Sequence, residues 1–218
     1  MYAPDKLGRV RLDEDTYFAP FGFFDKDYKF VVEYLRDPFI KGRTLYDTFT
    51  EEDCLWNYGE YLKHGIGWIG MHKGKRAGYI ILEVVSNNPL VLAVHGGMDR
   101  KLFGKGMSKK VMDFVEYYTF EVKNSMKLEG YILKPNNLLH AFYTKIGGMK
   151  KECEIADRLM INGVASPITI YGINKEEYYG RRRRGPKGAE PSRTSTSTNK
   201  SSKSRAGKNR GSKRKRRR

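Results

Sequence analysis

Between residues 67 and 148 the spacing of apolar positions changes several times, and each change marks the boundary of an element. Gly67–Met71 and Ala77–Val85 are short apolar runs separated by Lys73-Gly-Lys-Arg76, the pattern of a hairpin. Pro89-Leu-Val-Leu-Ala-Val-His95 is a continuous apolar run and predicts a strand over Leu90–Met98. A glycine-rich turn follows, after which Met107, Val111, Phe114, Val115 and Tyr118 recur at helical spacing. Lys127–Leu133 then reads as another strand. Strand, turn, helix and strand in that order predict a right-handed crossover whose two strands are parallel neighbours. Leu139, Phe142, Tyr143 and Ile146 fall at i, i+3, i+4 and i+7, the buried stripe of a short helix with Asn136 at its N-cap and Gly147 at its stop.

The flanking regions are read with less periodicity to guide them. Residues 48–63 predict a helix whose Thr50-x-x-Asp53 start resembles a capping box. Glu152–Ile161 and Pro167–Ile173 predict a closing antiparallel pair with Asn162-Gly163 in the turn. The first 45 residues carry Tyr17, Phe18, Phe21, Phe23, Phe24, Phe30 and Tyr34, expected as core in short helices that cover one end of the sheet.

Charge divides the chain in two. The net charge is +17, yet residues 181–218 hold 17 Lys or Arg against a single acid, Glu190. Residues 1–180 are therefore nearly neutral. The tail has no aromatic residue and no aliphatic one beyond Ala189 and Ala206, so it buries too little apolar surface to offset its conformational entropy. The expected organisation is one domain over residues 1–178 and a disordered basic tail over 179–218. Cys54 and Cys153 form neither a disulfide framework nor a metal spacing, and His64, His72, His95 and His140 are scattered, so no metal is assigned. No apolar run is long enough to span a bilayer and the start has no signal-peptide h-region; the expectation is a soluble, non-secreted, cytoplasmic chain without a membrane partner.

Phe103-Gly-Lys-Gly-Met-Ser108 carries the strongest chemical signal. Glycines around a lysine, where a strand ends and a helix opens, leave first-turn N–H groups uncovered, and a start of that kind holds phosphate. Together with the Asn136–Gly147 helix, this loop resembles the GNAT superfamily of N-acetyltransferases, whose acetyl-CoA loop reads R/Q-x-x-G-x-G/A and whose next helix reads N-x-x-A-x-x-F/L-Y-x-x-x-G. The resemblance covers roughly Lys73 to Lys151. Two registers fit the loop. Lys101 at the R/Q position uses Gly104 and Gly106, whereas Phe103 there uses Gly106 and Ser108 and follows the family's Gly-Lys-Gly run; the second is preferred. Asn136, Tyr143 and Gly147 match the helix pattern, with Leu139 at the usual Ala position and Gly148 where Phe is usual. An aromatic N-terminus and the Phe103 departure are similar to short bacteriophage members of the superfamily.

The resemblance implies an α/β three-layer fold, a mixed six- to seven-stranded sheet with helices on both faces, and direct transfer of acetyl from acetyl-CoA to a primary amine. It places the pantetheine arm along Gly97, Met98 and Arg100. The pyrophosphate would lie against the amides of Gly104, Lys105, Gly106, Met107 and Ser108, beside Phe103, with Lys105 and Lys109 adding charge and with no Cβ at Gly104 or Gly106 to block close approach. It implies the Met98 amide as donor to the carbonyl oxygen, Tyr143 as the acid for the leaving thiolate, and Asn136 as orienting the cofactor. Candidates for the base are Glu83, His95 and Glu129, with His95 favoured.

The tail opens a rival class. Arg181, Arg182, Arg183 and Arg184, together with Lys213, Arg214, Lys215, Arg216, Arg217 and Arg218, are expected to bind phosphate backbones without sequence preference. In a eukaryotic host the last six would read as a nuclear localisation signal. On the rival reading the folded part is a catalytically weak scaffold and the chain a nucleic-acid-binding or virion structural protein. Acceptor identity and oligomeric state are left open.

Overall fold

Lys73 and Gly74 both take left-handed backbone angles, φ 50° and 74°, which is what a two-residue hairpin turn needs to match the right-handed twist of its strands. The computed structural model describes residues 2–22, 25–40, 52, 59–60, 65–133, 136–161 and 164–183. That turn joins β3 (Ile66–His72) to β4 (Lys75–Asn87). Before them come β1 (Val10–Arg11), β2 (Thr16–Pro20) and α1 (Asp25–Arg36). After them come β5 (Leu90–Met98), α2 (Met107–Tyr117), β6 (Lys127–Leu133), α3 (Asn137–Ala141), β7 (Lys150–Ile161), β8 (Val164–Asn174) and α4 (Lys175–Arg183). Both α2 and α3 continue as a wide five-residue turn, Tyr118–Val122 and Phe142–Ile146 respectively.

The described strands form one mixed eight-stranded sheet in the order β1-β2-β3-β4-β5-β6-β8-β7. Only β5 and β6 run parallel, as the crossover reading requires. The sheet exceeds the expected six to seven strands because the N-terminal segment contributes β1 and β2. Thr16–Pro20 alternates buried and less buried positions and pairs along β3, so Tyr17 and Phe18 lie on a strand, whereas Phe30 and Tyr34 lie on the helix Asp25–Arg36; Phe23 and Phe24 are outside the described residues.

Alternation sorts each strand onto two faces. On one, Trp68, Ile80, Leu82, Leu92, Leu128, Ile132 and Ile173 pack under Met112, Phe114 and Val115 of α2. On the other, Ile69, Tyr79 and Ile81 lie under Tyr28, Val31, Val32 and Leu35 of α1. Helices on both faces of a mixed sheet make the expected three layers. The closing strands are antiparallel as read, with β8 inserted between β6 and β7. The β7 ladder shifts register twice, and Asp157 takes a left-handed φ of 51°.

The fold continues past residue 178. Asn174 and Glu177 cap α4 reciprocally, the Glu177 amide donating to Asn174 Oδ1 at 2.8 Å and the Asn174 amide to Glu177 Oε2 at 3.1 Å. Arg181, read from composition as part of the tail, donates to the Gly147 carbonyl and to Glu116 Oε1 at 2.8 Å. Arg182 bonds Glu121 at 2.9 Å and lies over the Tyr178 ring. These two arginines are structural, held by acids that α2 and its extension present. Glu116 is buried, and burial pushes its carboxyl above the usual range against the opposing pull of Arg181. The expected helix over 48–63, the Asn162-Gly163 turn, Arg184, Lys213–Arg218 and the disorder expected of the tail lie outside the described residues or rest on residues that do.

Arg181→Ala is expected to destabilise the chain by about 2 kcal/mol, because Glu116 is left buried without its partner and the Gly147 carbonyl loses a donor. The measurement is a lower urea midpoint at unchanged slope. Arg181→Lys should recover only part of the loss, since one ammonium cannot span both acceptors in the guanidinium's fork geometry.

Candidate active site

The parallel ladder between β5 and β6 is short. It pairs Val91–Val94 with Lys127–Gly130 and then stops, although β5 continues on β4 to Met98 and β6 continues on β8 to Leu133. From His95 and Tyr131 onward the two strands diverge. A groove of roughly 470 Å³ occupies that divergence. On the α2 face it reaches Met107, Ser108 and Val111, and on the α1 face it reaches Tyr34, Leu35 and Phe39.

Tyr143 marks the point of divergence. Its ring lies over Gly130, where a Cβ would overlap it, and its hydroxyl donates to the carbonyl of Val94, the partner of Gly130, at 3.4 Å. The residue is 4% exposed, and burial pushes the phenol far above its ordinary range, so the proton stays on at neutral pH. Tyr143 still borders the groove, alongside Asn136, whose Oδ1 caps α3 by accepting from the Leu139 amide at 3.1 Å. Ile146 departs from the expected buried stripe. It is 39% exposed at the groove rim, because the wide turn from Phe142 breaks the 3.6-residue period on which the stripe was counted. The left-handed residue at the end is Gly148, φ 57°, not Gly147; Gly147 is needed for close packing, since a Cβ there would meet Met112 Cε at 2.9 Å.

The glycine loop opens α2 as read. Gly106 is the N-cap with φ 75° and supplies no side-chain bond to the first turn, so the amides of Met107, Ser108 and Lys109 have no partner within the helix. Gly104 is also left-handed, at φ 72°. Neither glycine has a heavy atom within 4 Å of its would-be Cβ, so within the chain the requirement at both is backbone conformation, with open space in front. Among the side chains of this loop, Met107 is buried with Leu102 and Ala77, while Phe103 is partly exposed at the groove mouth. Lys109 is paired with Asp113 at 2.6 Å on the outer face of α2. Arg100 turns to the end of α1, 3.4 Å from Asp37 and over the Phe39 ring.

The three base candidates share the α1 face, and the structure separates them. His95 Nε2 is 2.8 Å from Glu83 Oε2, and His95 borders the groove. Glu129 has both oxygens engaged, one by Lys127 Nζ at 2.9 Å and the other by the Tyr131 hydroxyl at 2.9 Å. Lys127 also reaches Glu152 at 2.6 Å across Gly172, which leaves the space. Burial, and after it the Glu129 carboxylate, raise the Tyr131 phenol.

One groove residue was missed from sequence. Tyr34, expected only as core, accepts from the Met98 amide at 3.2 Å, and its ring fills the space above Gly97. A tyrosine at an apolar helix position gives no sequence signal that separates this from packing.

This mixed α/β sheet, with one parallel pair that parts above a glycine-opened helix, is the fold of solved acetyltransferases. In particular, the chain is similar to the spermidine N-acetyltransferase of Vibrio cholerae solved in complex with CoA and spermine, with a TM-score of 0.65 at 13% identity over 77% of this chain and 99% of that one. It is also similar to the Salmonella typhimurium acetyltransferase that modifies the N-terminal serine of the 50S ribosomal subunit protein L7/L12, with a TM-score of 0.64 at 8% identity over 76% and 98% of the respective chains. A dodecameric form of the Vibrio cholerae enzyme superimposes with a TM-score of 0.61 at 15% identity over 78% and 99% of the respective chains. At these identities the likeness is one of fold. No protein-family model and no curated protein sequence matches the chain.

Gly130→Ala is expected to displace the Tyr143 ring and to destabilise the chain by about 1–3 kcal/mol through overpacking. Urea unfolding measures the loss, and an unchanged midpoint would show that the ring does not rest on residue 130.

Proposed function

We propose that this chain is an N-acetyltransferase that moves an acetyl group from acetyl-CoA to a primary amine by direct transfer, with its basic tail associating with nucleic acid. The observation that carries the reading is the single groove between β5 and β6, which joins the open start of α2 on one face of the sheet to the Glu83–His95 pair on the other.

The residues present fit the acyl donor. A diphosphate suits an uncapped helix start with two left-handed glycines and no atom in front of them, and Lys105 beside it adds positive charge. An extended arm suits the edge of β5 beyond Val94, where the ladder to β6 has ended. When bound, acetyl-CoA supplies the activated acyl carbon. The chain supplies the rest. An alkyl ammonium, with a solution pKa of about 10.4, must lose a proton before its nitrogen can attack. His95, held by Glu83, is the acceptor for that proton in this reading, since both Glu129 oxygens are engaged elsewhere. Tyr143 is the donor to the departing sulfur, because burial keeps its hydroxyl protonated and its bond to Val94 is long. A primary amine as acceptor rests on the fold likeness to the two acetyltransferases above.

Calorimetry with acetyl-CoA tests the reading. The wild-type chain is expected to bind, and Gly106→Glu to bind without detectable heat, since the substitution strains a left-handed position and sets a carboxylate against the diphosphate. No heat with the wild type would sink the enzymatic reading.

The tail is proposed to act through charge alone, as residues 183–218, beyond the paired Arg181 and Arg182, still carry 15 Lys or Arg against the single acid Glu190. Binding to duplex DNA is expected to weaken steeply with salt. Replacing Lys213–Arg218 by glutamine should flatten the slope of log K against log salt by up to about 5, at roughly 0.9 per phosphate contact. An unchanged slope would remove those six residues from the interface.

A further inference from the structure

The N–H groups of a strand alternate between its two neighbours, and at the end of β5 this puts one amide in a special position. Asp99 N–H points to β4, donating to the Ala77 carbonyl at 2.7 Å, so Met98 N–H points the other way, toward the gap that β6 has left. In that gap it meets the Tyr34 hydroxyl at 3.2 Å. The amide expected to meet the acyl carbonyl oxygen therefore already has a partner in the chain.

Tyr34 is well placed to stand in for it. Its hydroxyl accepts from Met98 N–H, while among the described residues its own proton goes to the Met98 carbonyl at 3.5 Å, the outer limit of a hydrogen bond. A hydroxyl that already accepts is polarised into a better donor. The ring is held on two sides, and the end of its helix is held as well. Gly97 leaves room for it and any Cβ there would overlap it, Tyr79 meets it edge-on at 5.6 Å, and Arg100 clamps the end of α1 through Asp37 and Phe39. Burial pushes the phenol up to about 12, so it remains a donor at neutral pH. Tyr34 borders the groove together with His95, Met98 and Tyr143.

We infer that the Tyr34 hydroxyl, backed by the Met98 amide, is the hydrogen-bond donor to the acyl carbonyl oxygen in this chain. The inference rests on the acetyl-transfer reading. In the transfer, the lone pair of the neutral amine forms the C–N bond and the carbonyl π pair shifts onto oxygen, toward the Tyr34 proton. That pair then returns, the C–S bond breaks with its electrons on sulfur, and the thiolate takes a proton from Tyr143, whose phenolate is reprotonated from solvent, while the nitrogen gives its second proton to His95, which has by then passed the ammonium's first proton to solvent. Tyr34 keeps its proton throughout, so its part is electrostatic.

Isotope-edited infrared spectroscopy with acetyl-CoA labelled at the carbonyl carbon tests this without an acceptor. On binding the wild type, the carbonyl stretch is expected to move to lower frequency, and in Tyr34→Phe most of that shift should be lost. Calorimetry run alongside should show acetyl-CoA favoured over CoA by about 2- to 10-fold in the wild type, the worth of one hydrogen bond, and not in the variant, while affinity for CoA itself is the same in both. Gly97→Ala, which displaces the ring and retains the hydroxyl, should also reduce the shift. A shift equal or larger in Tyr34→Phe overturns the inference and leaves the transfer reading standing, since the freed Met98 amide would then be the donor. A wild type that binds neither CoA nor acetyl-CoA overturns the transfer reading and this inference with it.

Discussion

Everything about the groove follows from where one ladder ends. Two parallel strands held on their outer sides by antiparallel neighbours would ordinarily stay paired along their shared length. Here β5 is fixed by β4 and β6 by β8, and the twist of those partners carries them apart once the last mutual pair, Val94 with Gly130, is passed. Gly130 allows the parting to be filled at its root by the Tyr143 ring, which α3 and its wide turn deliver. Backbone on both lips of the opening is left to find other partners, and on the β5 side the partner is a tyrosine from α1. Sheet geometry thus sets the site, and side chains from three separate helices decorate it.

The central elements were legible because their signals are local. Leu90–Met98 and Lys127–Leu133 are strands with the residues read from sequence, Asn136 caps its helix, and the glycine loop opens α2. Long-range decisions were not legible. The N-terminal aromatics are dense enough to match any period, so Thr16–Pro20 could be recognised as strand only through its pairing with β3. Arg181 and Arg182 stand at the head of a basic run, and composition cannot tell a tail from a helix whose counter-charges, Glu116 and Glu121, lie more than sixty residues earlier. The Asn174-x-x-Glu177 cap was the available local clue.

Electrostatics in the folded part is organised as short closed circuits. Glu83 meets His95, Lys127 joins Glu129 to Glu152, Arg76 meets the buried Asp27, and Arg181 meets Glu116. Lys127–Glu152, Arg76–Asp27 and Arg181–Glu116 join elements that are not hydrogen-bonded neighbours, while Glu83–His95 links the paired strands β4 and β5 and Lys127–Glu129 lies within β6, so the near neutrality of residues 1–180 reflects pairing and not an absence of charge. Two of these circuits, Glu83–His95 and the Lys127 bridge, share the α1 face of the sheet.

The irregularity of β7 has a bearing on solubility. It is the last strand of the described sheet, and a long outer strand offers a row of backbone groups to which a strand of another molecule can add, the usual seed of aggregation. Two register shifts, a left-handed Asp157 and the exposed charges of Lys150, Lys151, Glu152 and Glu154 interrupt that row. An incoming strand would lose contact at each kink and meet like charge or stripped hydration between them. The chain thereby keeps a twelve-residue border strand without exposing a continuous template for runaway association.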